Sequence, residues 1–440
     1  MTLQEYFPER TAVKLVDGVE SAVRDGFWSP GDRLPTVRAL AGELDVSPAT
    51  VESAYRRLRE RGVIVGERRR GTRVAPKPSS LMPASSVPPD GLRDLATGNP
   101  DPKLLPPIED AIRSIDKTPR LYTDELFDDR LLEIAREQFQ ADAVPCEHLA
   151  VVSGAMDGIE RVLRARLRVG DRVLVEDPGF PGVFDQLTAL GLALEPVRID
   201  QDGPLPDDLR RGLSTKPKAL VVTPRAQNPT GAALTESRAA ELRGIIQDAP
   251  QLLVVEDDHA GPIAGLPAQS LCTDREGPWA HIRSVSKSLG PDLRLAVVSG
   301  DEETMRDVRA RQLVGMRWVS HILQRIVVEL WSNAEVLAKL RKAERTYAKR
   351  RQRLIGLLAE HEVRAEGKTG LNVWLPVIEE ARVVRELAAK GWGVTAGERF
   401  RFASDPAVRI TVANLKKEET LQLADDIARC GVASRRAGLA

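Results

Sequence analysis

Cysteine is scarce in this chain. Three occur in 440 residues, Cys146, Cys272 and Cys430, widely spaced and without a CxxC pair. That pattern excludes a disulfide framework or a structural zinc site, calls for no metal, and suits a reducing cytoplasm. Long apolar runs are missing as well. Nowhere do about 18 apolar residues follow one another, so no segment is expected to span a membrane. The opening MTLQEYFPER lacks the apolar core of a secretory signal. Net charge is absent too, with 64 Lys+Arg against 64 Asp+Glu, so the total implies no general attraction to nucleic acid. There is no internal repeat. These gaps leave a soluble, cytoplasmic, multidomain protein.

What is present divides the chain. At 440 residues with 42% hydrophobic content, two or three cores are expected. The stretch APKPSSLMPASSVPPD (75–90) holds five prolines and four serines, which resist helix and sheet and favour an extended connector. It predicts an N-terminal unit over 1–75, a linker over 76–92 and a long unit over 93–440. The charge is also uneven. From Arg56 to Lys77 nine Lys/Arg face Glu60 and Glu67, a local balance of nine minus two, +7, which suits a polyanion partner.

The N-terminal unit has the pattern of a helix-turn-helix followed by a wing. TVRALAGELD places Val37, Leu40 and Leu44 at helical spacing. Ser47 then offers an N-cap, Pro48 suits the first helical position, and Val46 can staple against Val51. The second helix aligns Val51, Ala54, Tyr55 and Leu58 on one stripe and leaves Ala49, Thr50 and Ser53 outward at its start. Such a helix enters a major groove. Next, VIV and GERRRGTRV read as two short strands joined by a basic turn containing Arg69 and Arg70. At PGDRLPTVRALA, VSPATVESAYRRL and GTRV the stretch resembles the GntR family of bacterial repressors. The resemblance implies that Arg33 and Arg38 grip phosphates, that Thr50 faces bases, and that Gly71 lets the wing approach the DNA backbone. Ala49 stands where many relatives carry a polar or basic side chain.

The long unit alternates apolar runs with amphipathic segments. LAVVSG, RVLVEDPG, ALVVTP, LLVVED and LRLAVVSG read as buried strands, with helices such as MDGIERVLRARL and ESRAAELRGIIQ between them. That predicts parallel strands with helices on both faces, over roughly 110–310. Beyond about 330 a smaller α+β unit ends in the strands LNVWLPV and VRITVA.

Ligands of open α/β sheets bind beyond strand ends, and there the residues suit an aldehyde cofactor carrying a pyridine ring and a phosphate. Gly154, Ala155 and Met156 open a helix and can offer N–H groups to the phosphate. Phe180 can stack on the ring, Asn228 can donate to the phenolic oxygen, and Asp257 can hold the ring nitrogen protonated. In SVSKSLGPDLR, Lys287 supplies the amine for a Schiff base, Ser284 and Ser286 are phosphate donors, and Arg294 is the phosphate's counter-charge. The intervals are 29 residues from Asn228 to Asp257 and 30 from there to Lys287, each room for one helix and one strand.

In this order the motifs resemble fold-type I aminotransferases, and with the N-terminal unit they resemble MocR-type regulators, a branch of GntR. The fold class implied is an N-terminal winged helix-turn-helix joined to an α/β pyridoxal-phosphate-dependent transferase fold with a smaller C-terminal α+β subdomain. The resemblance also implies that Tyr122 reaches the phosphate of a neighbouring subunit in a domain-swapped homodimer, and that Arg409 receives a carboxylate from a substrate or effector. His259 stands near where relatives carry a tyrosine, so the cofactor linkage is expected to be pH-sensitive. LYTDELFD lacks the glycine that usually follows the tyrosine.

The function implied is a regulator that binds operator DNA and senses pyridoxal phosphate, an amino compound, or both. A working aminotransferase with an accessory head remains an alternative, and a large domain that only dimerises the heads is a third reading.

Overall fold

The computed structural model describes residues 3–29, 31–60, 63–67, 71–74 and 88–430. The chain divides into two compact units, one built mainly of Met1–Met82 and the other of most of the remainder.

In the first unit, α1 (Ala12–Arg24), α2 (Val37–Leu44) and α3 (Pro48–Glu60) precede a hairpin of β1 (Ile64–Glu67) and β2 (Gly71–Val74). Ser47 Oγ accepts from Thr50 N at 3.1 Å, so the expected cap opens α3. The stripe Val51, Ala54, Tyr55 and Leu58 is buried, as its spacing requires, and packs with Leu15, Leu40 and Ile64. Truncating one such leucine removes roughly 2 to 5 kcal/mol. The strands pair antiparallel from Ile64↔Val74 to Glu67↔Gly71. Leu34 N and Val74 N bond across to Thr72 O and Asp32 O, both at 2.9 Å, fixing the wing to the chain before α2.

The second unit begins with β3 (Arg93–Asp94), α4 (Glu109–Ser114) and α5 (Asp129–Ala141). Its large subdomain then runs β4 (His148–Val152), α6 (Ala155–Arg166), β5 (Arg172–Asp177), α7 (Pro181–Ala189), β6 (Ala193–Asp200), β7 (Gly203–Pro204), α8 (Pro206–Leu213) and β8 (Ala219–Val222). It continues through α9 (Glu236–Gln247), β9 (Leu253–Asp258), β10 (Trp279–Ser284), β11 (Ala296–Gly300), α10 (Glu302–Val314) and α11 (His321–Ser332). The sheet order is β4-β11-β10-β9-β8-β5-β6-β7.

The expectation of parallel strands is corrected at one strand. Strands β5, β8, β9 and β10 are parallel neighbours, but β11 runs antiparallel to both β10 and β4. A parallel return needs a crossover helix. The link from Ser284 to Ala296 holds only a short turn at Pro291–Leu293, so β11 must run back beside β10. That link is the segment bearing Lys287 and Arg294.

The long α12 (Ala334–Glu360) leads into a small subdomain of β12 (Asn372–Pro376), α13 (Glu380–Ala388), β13 (Trp392–Gly393), β14 (Thr395–Ala396), β15 (Ala407–Thr411) and α14 (Lys417–Arg429). Its three-stranded sheet has the order β12-β15-β14, while β3 pairs with β13. Leu95 is fully buried in the small subdomain's core with Val373, Val408 and Leu423, so the start of the second unit belongs to its last-built part.

Candidate functional site

Asp257 is the second-last residue of β9, and the alternation of a strand sends its carboxyl to the face opposite Glu256 and Asp258. It is buried, and its Oδ1 has no hydrogen-bond partner in the structure. Burial, reinforced by the neighbouring charge of Asp258, pushes the carboxyl up to about 7, against the pull of His281 and Lys287. A buried carboxyl oxygen without a partner calls for a donor.

Lys287 follows β10, whose last residue is Ser284, in the same loop as Ser286. Its Nζ donates to Gly98 O at 2.7 Å. Burial, then the cation of Arg409, lowers the ammonium to about 8, with Asp257 acting the other way. Arg409, in β15, is buried and pushed down to about 10 by desolvation. Its Nη1 donates to Asn228 Oδ1 at 3.0 Å, its Nη2 donates to Ala96 O, and its guanidinium carbon stands 4.8 Å from the Phe400 ring centroid. Thus Asn228, Asp257, Lys287 and Arg409 come together, joined by Ala96 and Gly98.

At the mouth of β4, Gly154 takes φ +92, and a Cβ there would meet Arg294 Nη2 at 3.1 Å. Arg294 itself adopts φ 43 and donates through Nη2 to Ser153 O at 3.3 Å. Ala155 and Met156 open α6, at the positive end of its dipole. Ser284 Oγ lies 3.1 Å from Ser286 Oγ and accepts from Ser286 N at 3.2 Å. Phe180 sits just before α7, 37% exposed, with its ring against Gly182, where a Cβ would come within 2.5 Å.

His259 departs from expectation. Its Nε2 is 3.0 Å from Ala226 O, an acceptor, so that nitrogen carries the proton. Burial, then the charge of Lys287, lowers the imidazole to about 4. It therefore stays neutral through the physiological range, and the pH sensitivity expected of it near neutrality is corrected.

Tyr122 is 77% exposed, its ring centroid 5.9 Å from that of Trp318 and its carbonyl bonded by Arg317 Nη2 at 3.0 Å. Leu121, Val314, Met316 and Ile322 are also exposed. On the N-terminal unit, Arg33 and Arg38 are exposed, and Thr50 is half-buried at the start of α3. Gly71 has φ +85, and a Cβ there would lie 2.9 Å from Arg33 Nε. Arg69 and Arg70 lie outside the described residues.

Several site features escaped the sequence reading. Asp258 is fully buried and accepts from Arg225 Nε at 2.9 Å, Arg225 Nη2 at 2.8 Å, Arg283 Nε at 2.8 Å and Gly261 N at 3.2 Å. Asp142 Oδ2 bridges the same two guanidinium groups at 3.0 and 2.6 Å. Those cations hold the Asp258 carboxyl well below its ordinary value, despite burial. Asp177 accepts from the backbone N–H groups of Phe402, Ala403 and Ser404 at 2.9, 2.9 and 3.1 Å, fastening a small-subdomain loop to the end of β5. Arginines inside apolar runs, in TPRAQN and HIRS, were the available signal for the first.

Residues 93–427 match the aminotransferase class I and II family, and residues 11–74 match the bacterial regulatory proteins of the gntR family. The vitamin B6 salvage pathway transcriptional repressor PtsJ of Salmonella typhimurium is 37% identical over 95% of this chain and 98% of its own length. The chain belongs to the MocR-type regulators of the GntR family. The pyridoxine biosynthesis transcriptional regulator PdxR of Corynebacterium glutamicum is 27% identical over 90% of each chain. In fold, this MocR-type protein is similar to the α-aminoadipate aminotransferase LysN of Thermus thermophilus, with TM-score 0.70, 23% identity and coverage of 80% of this chain and 96% of that one.

The cofactor of this MocR-type chain is pyridoxal 5'-phosphate. The donor set fits it: a buried carboxyl oxygen lacking a partner at Asp257, a half-buried amine lowered toward neutrality at Lys287, and a guanidinium against a glycine turn at Arg294 and Gly154. When bound, it supplies an electrophilic aldehyde carbon and an electron-accepting ring.

Proposed function

We propose that the chain is a transcription regulator that binds operator DNA through its N-terminal unit and senses pyridoxal phosphate, an amino compound, or both, through the aminotransferase-like unit. The observation that carries this reading is the pairing of a depressed, half-buried Lys287 with a partnerless Asp257 oxygen in a chain that also carries a capped recognition helix and wing. In the head, Arg33, Arg38, Arg69 and Arg70 would contact phosphates and Thr50 would face bases, with Gly71 allowing close approach.

In the large unit Lys287 Nζ is the point of attachment, and Asp257 keeps a proton at the ring nitrogen. Gly154, Ala155, Met156, Ser284, Ser286 and Arg294 hold the phosphate, and Asn228 and His259 line the ring's edge with Phe180 over its face. Arg409 offers two parallel N–H donors to a carboxylate of an amino compound. The exposed Leu121, Tyr122, Val314 and Ile322 suit burial against a second copy, in a domain-swapped homodimer in the cytoplasm where Tyr122 reaches the partner's phosphate.

The aminotransferase alternative keeps one observation in its favour, since Lys287 is already poised to exchange a proton near neutrality. The test is binding of the full-length protein to DNA upstream of its own gene, at stated salt, with and without pyridoxal phosphate, beside a turnover assay with amino donors and keto-acid acceptors. Operator affinity that changes with the cofactor, without rapid multiple turnover, supports the regulator. Rapid turnover with no specific DNA binding overturns it.

A further inference from the structure

The chain leaves the Pro/Ser-rich connector at Arg93 and at once enters the cofactor site. Arg93 N bonds to Gly391 O at 2.7 Å, Leu95 N to Gly393 O at 2.8 Å, and Thr411 N to Leu95 O at 2.8 Å. Asp94 Oδ1 folds back onto Ala96 N at 2.9 Å and Thr97 N at 3.0 Å. Ala96 O takes Arg409 Nη2 and Thr395 Oγ1, and Arg93 pairs with Glu419. All these partners lie in the segment itself or in the small subdomain. Gly98 is different. Its carbonyl accepts from Lys287 Nζ, which hangs from the β10–β11 link of the large subdomain. Among the described residues, this is the hydrogen bond that ties segment 93–98 to the large sheet.

The same nitrogen cannot serve both purposes. Lys287 Nζ, as a free amine with two hydrogens, attaches to the cofactor's aldehyde carbon; the carbonyl oxygen leaves as water, taking both hydrogens. The nitrogen is left with none, or with one when its remaining lone pair is protonated, and its orientation is set by the new bond. An ammonium donor with three hydrogens aimed at Gly98 O is thereby lost. Gly98 sits at φ +70 beside Arg409, whose guanidinium would lie 3.6 Å from a Cβ there, an ordinary contact distance.

We propose that Lys287 is a tie as well as an attachment point: its hydrogen bond to Gly98 O holds the connector-proximal segment to the large subdomain, and covalent use of Nζ frees that segment from this tie. A carboxylate on Arg409 acts on the same segment from the other side, because it competes with Ala96 O for Nη2. The signal thus reaches the connector through residues 93–98, which are contiguous with it. For its consequence at DNA, this rests on the reading of the chain as a cofactor-sensing regulator; the release itself does not.

The test is amide hydrogen exchange of the peptide spanning 92–100 in the full-length protein, with pyridoxal phosphate attachment read independently from its visible absorbance. Attachment should raise exchange in this peptide several-fold. Lys287→Ala, which deletes the donor, should show raised exchange without cofactor, and Lys287→Arg, which keeps a charged donor but cannot attach, should stay low whether or not pyridoxal phosphate is added. Unchanged exchange in the wild-type protein at full attachment overturns the proposal, as does a Lys287→Ala protein that matches unliganded wild type. Operator affinity measured alongside separates the two claims. Raised exchange with constant affinity leaves the tie standing and removes the sensing role, whereas an affinity change with constant exchange does the reverse.

Discussion

Cofactor uptake measured across pH reads the charge on Lys287. Only the neutral amine can attack an aldehyde, so the second-order rate follows the neutral fraction. At the ordinary lysine value about one molecule in three thousand is neutral at pH 7, whereas a group lowered to about 8 is neutral in about one in ten. The structure therefore predicts uptake at pH 7 roughly 300-fold faster than for an unperturbed lysine of equal access, rising about tenfold between pH 7 and 9 and then levelling. The causes predict two shifts of opposite sign. Arg409→Met removes a cation that lowers Lys287, so the midpoint should rise. Asp257→Asn removes a charge that raises it, so the midpoint should fall. Stopped-flow absorbance after mixing with pyridoxal phosphate gives all three profiles. A wild-type rate still climbing at pH 10, or two variants moving in the same direction, would refute this account of the site's electrostatics.

Two further outcomes are expected. Asp258→Ala strips a buried acceptor from Arg225 and Arg283 and should cost about 3 to 5 kcal/mol, seen in denaturant unfolding of the second unit. Because the folded carboxyl lies below its ordinary value, that contribution is present at neutral pH and lost as pH falls through the folded value, so wild type and variant should converge in acid; a constant gap would contradict it. Gly71→Val places a branched side chain at φ +85, 2.9 Å from Arg33 Nε, and should weaken operator binding about tenfold with cofactor absorbance unchanged; equal loss of both would point to misfolding instead.

The sequence revealed the elements whose signal is local. Ser47, Pro48 and the stripe from Val51 to Leu58 specify α3 by themselves, and the apolar runs of β4, β5, β8, β9 and β11 announce buried strands. It was less informative about β10, whose WAHIRS carries His281 and Arg283 inside the core, and about β6, interrupted by Pro196. Charges in a strand look like solvent-facing residues until their partners are known, and those partners are Asp142, Glu256 and Asp258, up to 141 residues away. The sense of β11 was hidden for a related reason, since direction depends on what a link lacks. At the site, spacing and residue type pointed to Asp257 and Lys287, which the structure places within reach of one another's charge. The environment of His259 did not follow from its identity, because the burial that silences the imidazole is tertiary. Nor could a motif reveal Ala96 and Gly98, which act through backbone carbonyls that every residue possesses.

Adjacent carboxylates in β9 meet opposite fates. Asp258 is saturated by two guanidinium groups, while Asp257, one peptide away, keeps an oxygen without a partner. The pleat separates them, since successive side chains leave opposite faces. The strand works as a divider, with guanidinium groups bonded to the carboxyl on one side and Oδ1 of the other left without a hydrogen-bond partner. Drift in this strand is therefore constrained in length more than in composition. Inserting or deleting one residue ahead of Glu256 would exchange the two sides, turning the saturated acid toward the cofactor and burying the unsatisfied one among arginines. Conservative replacements along β9 can be absorbed one at a time, but its count of residues cannot change by an odd number without losing the site.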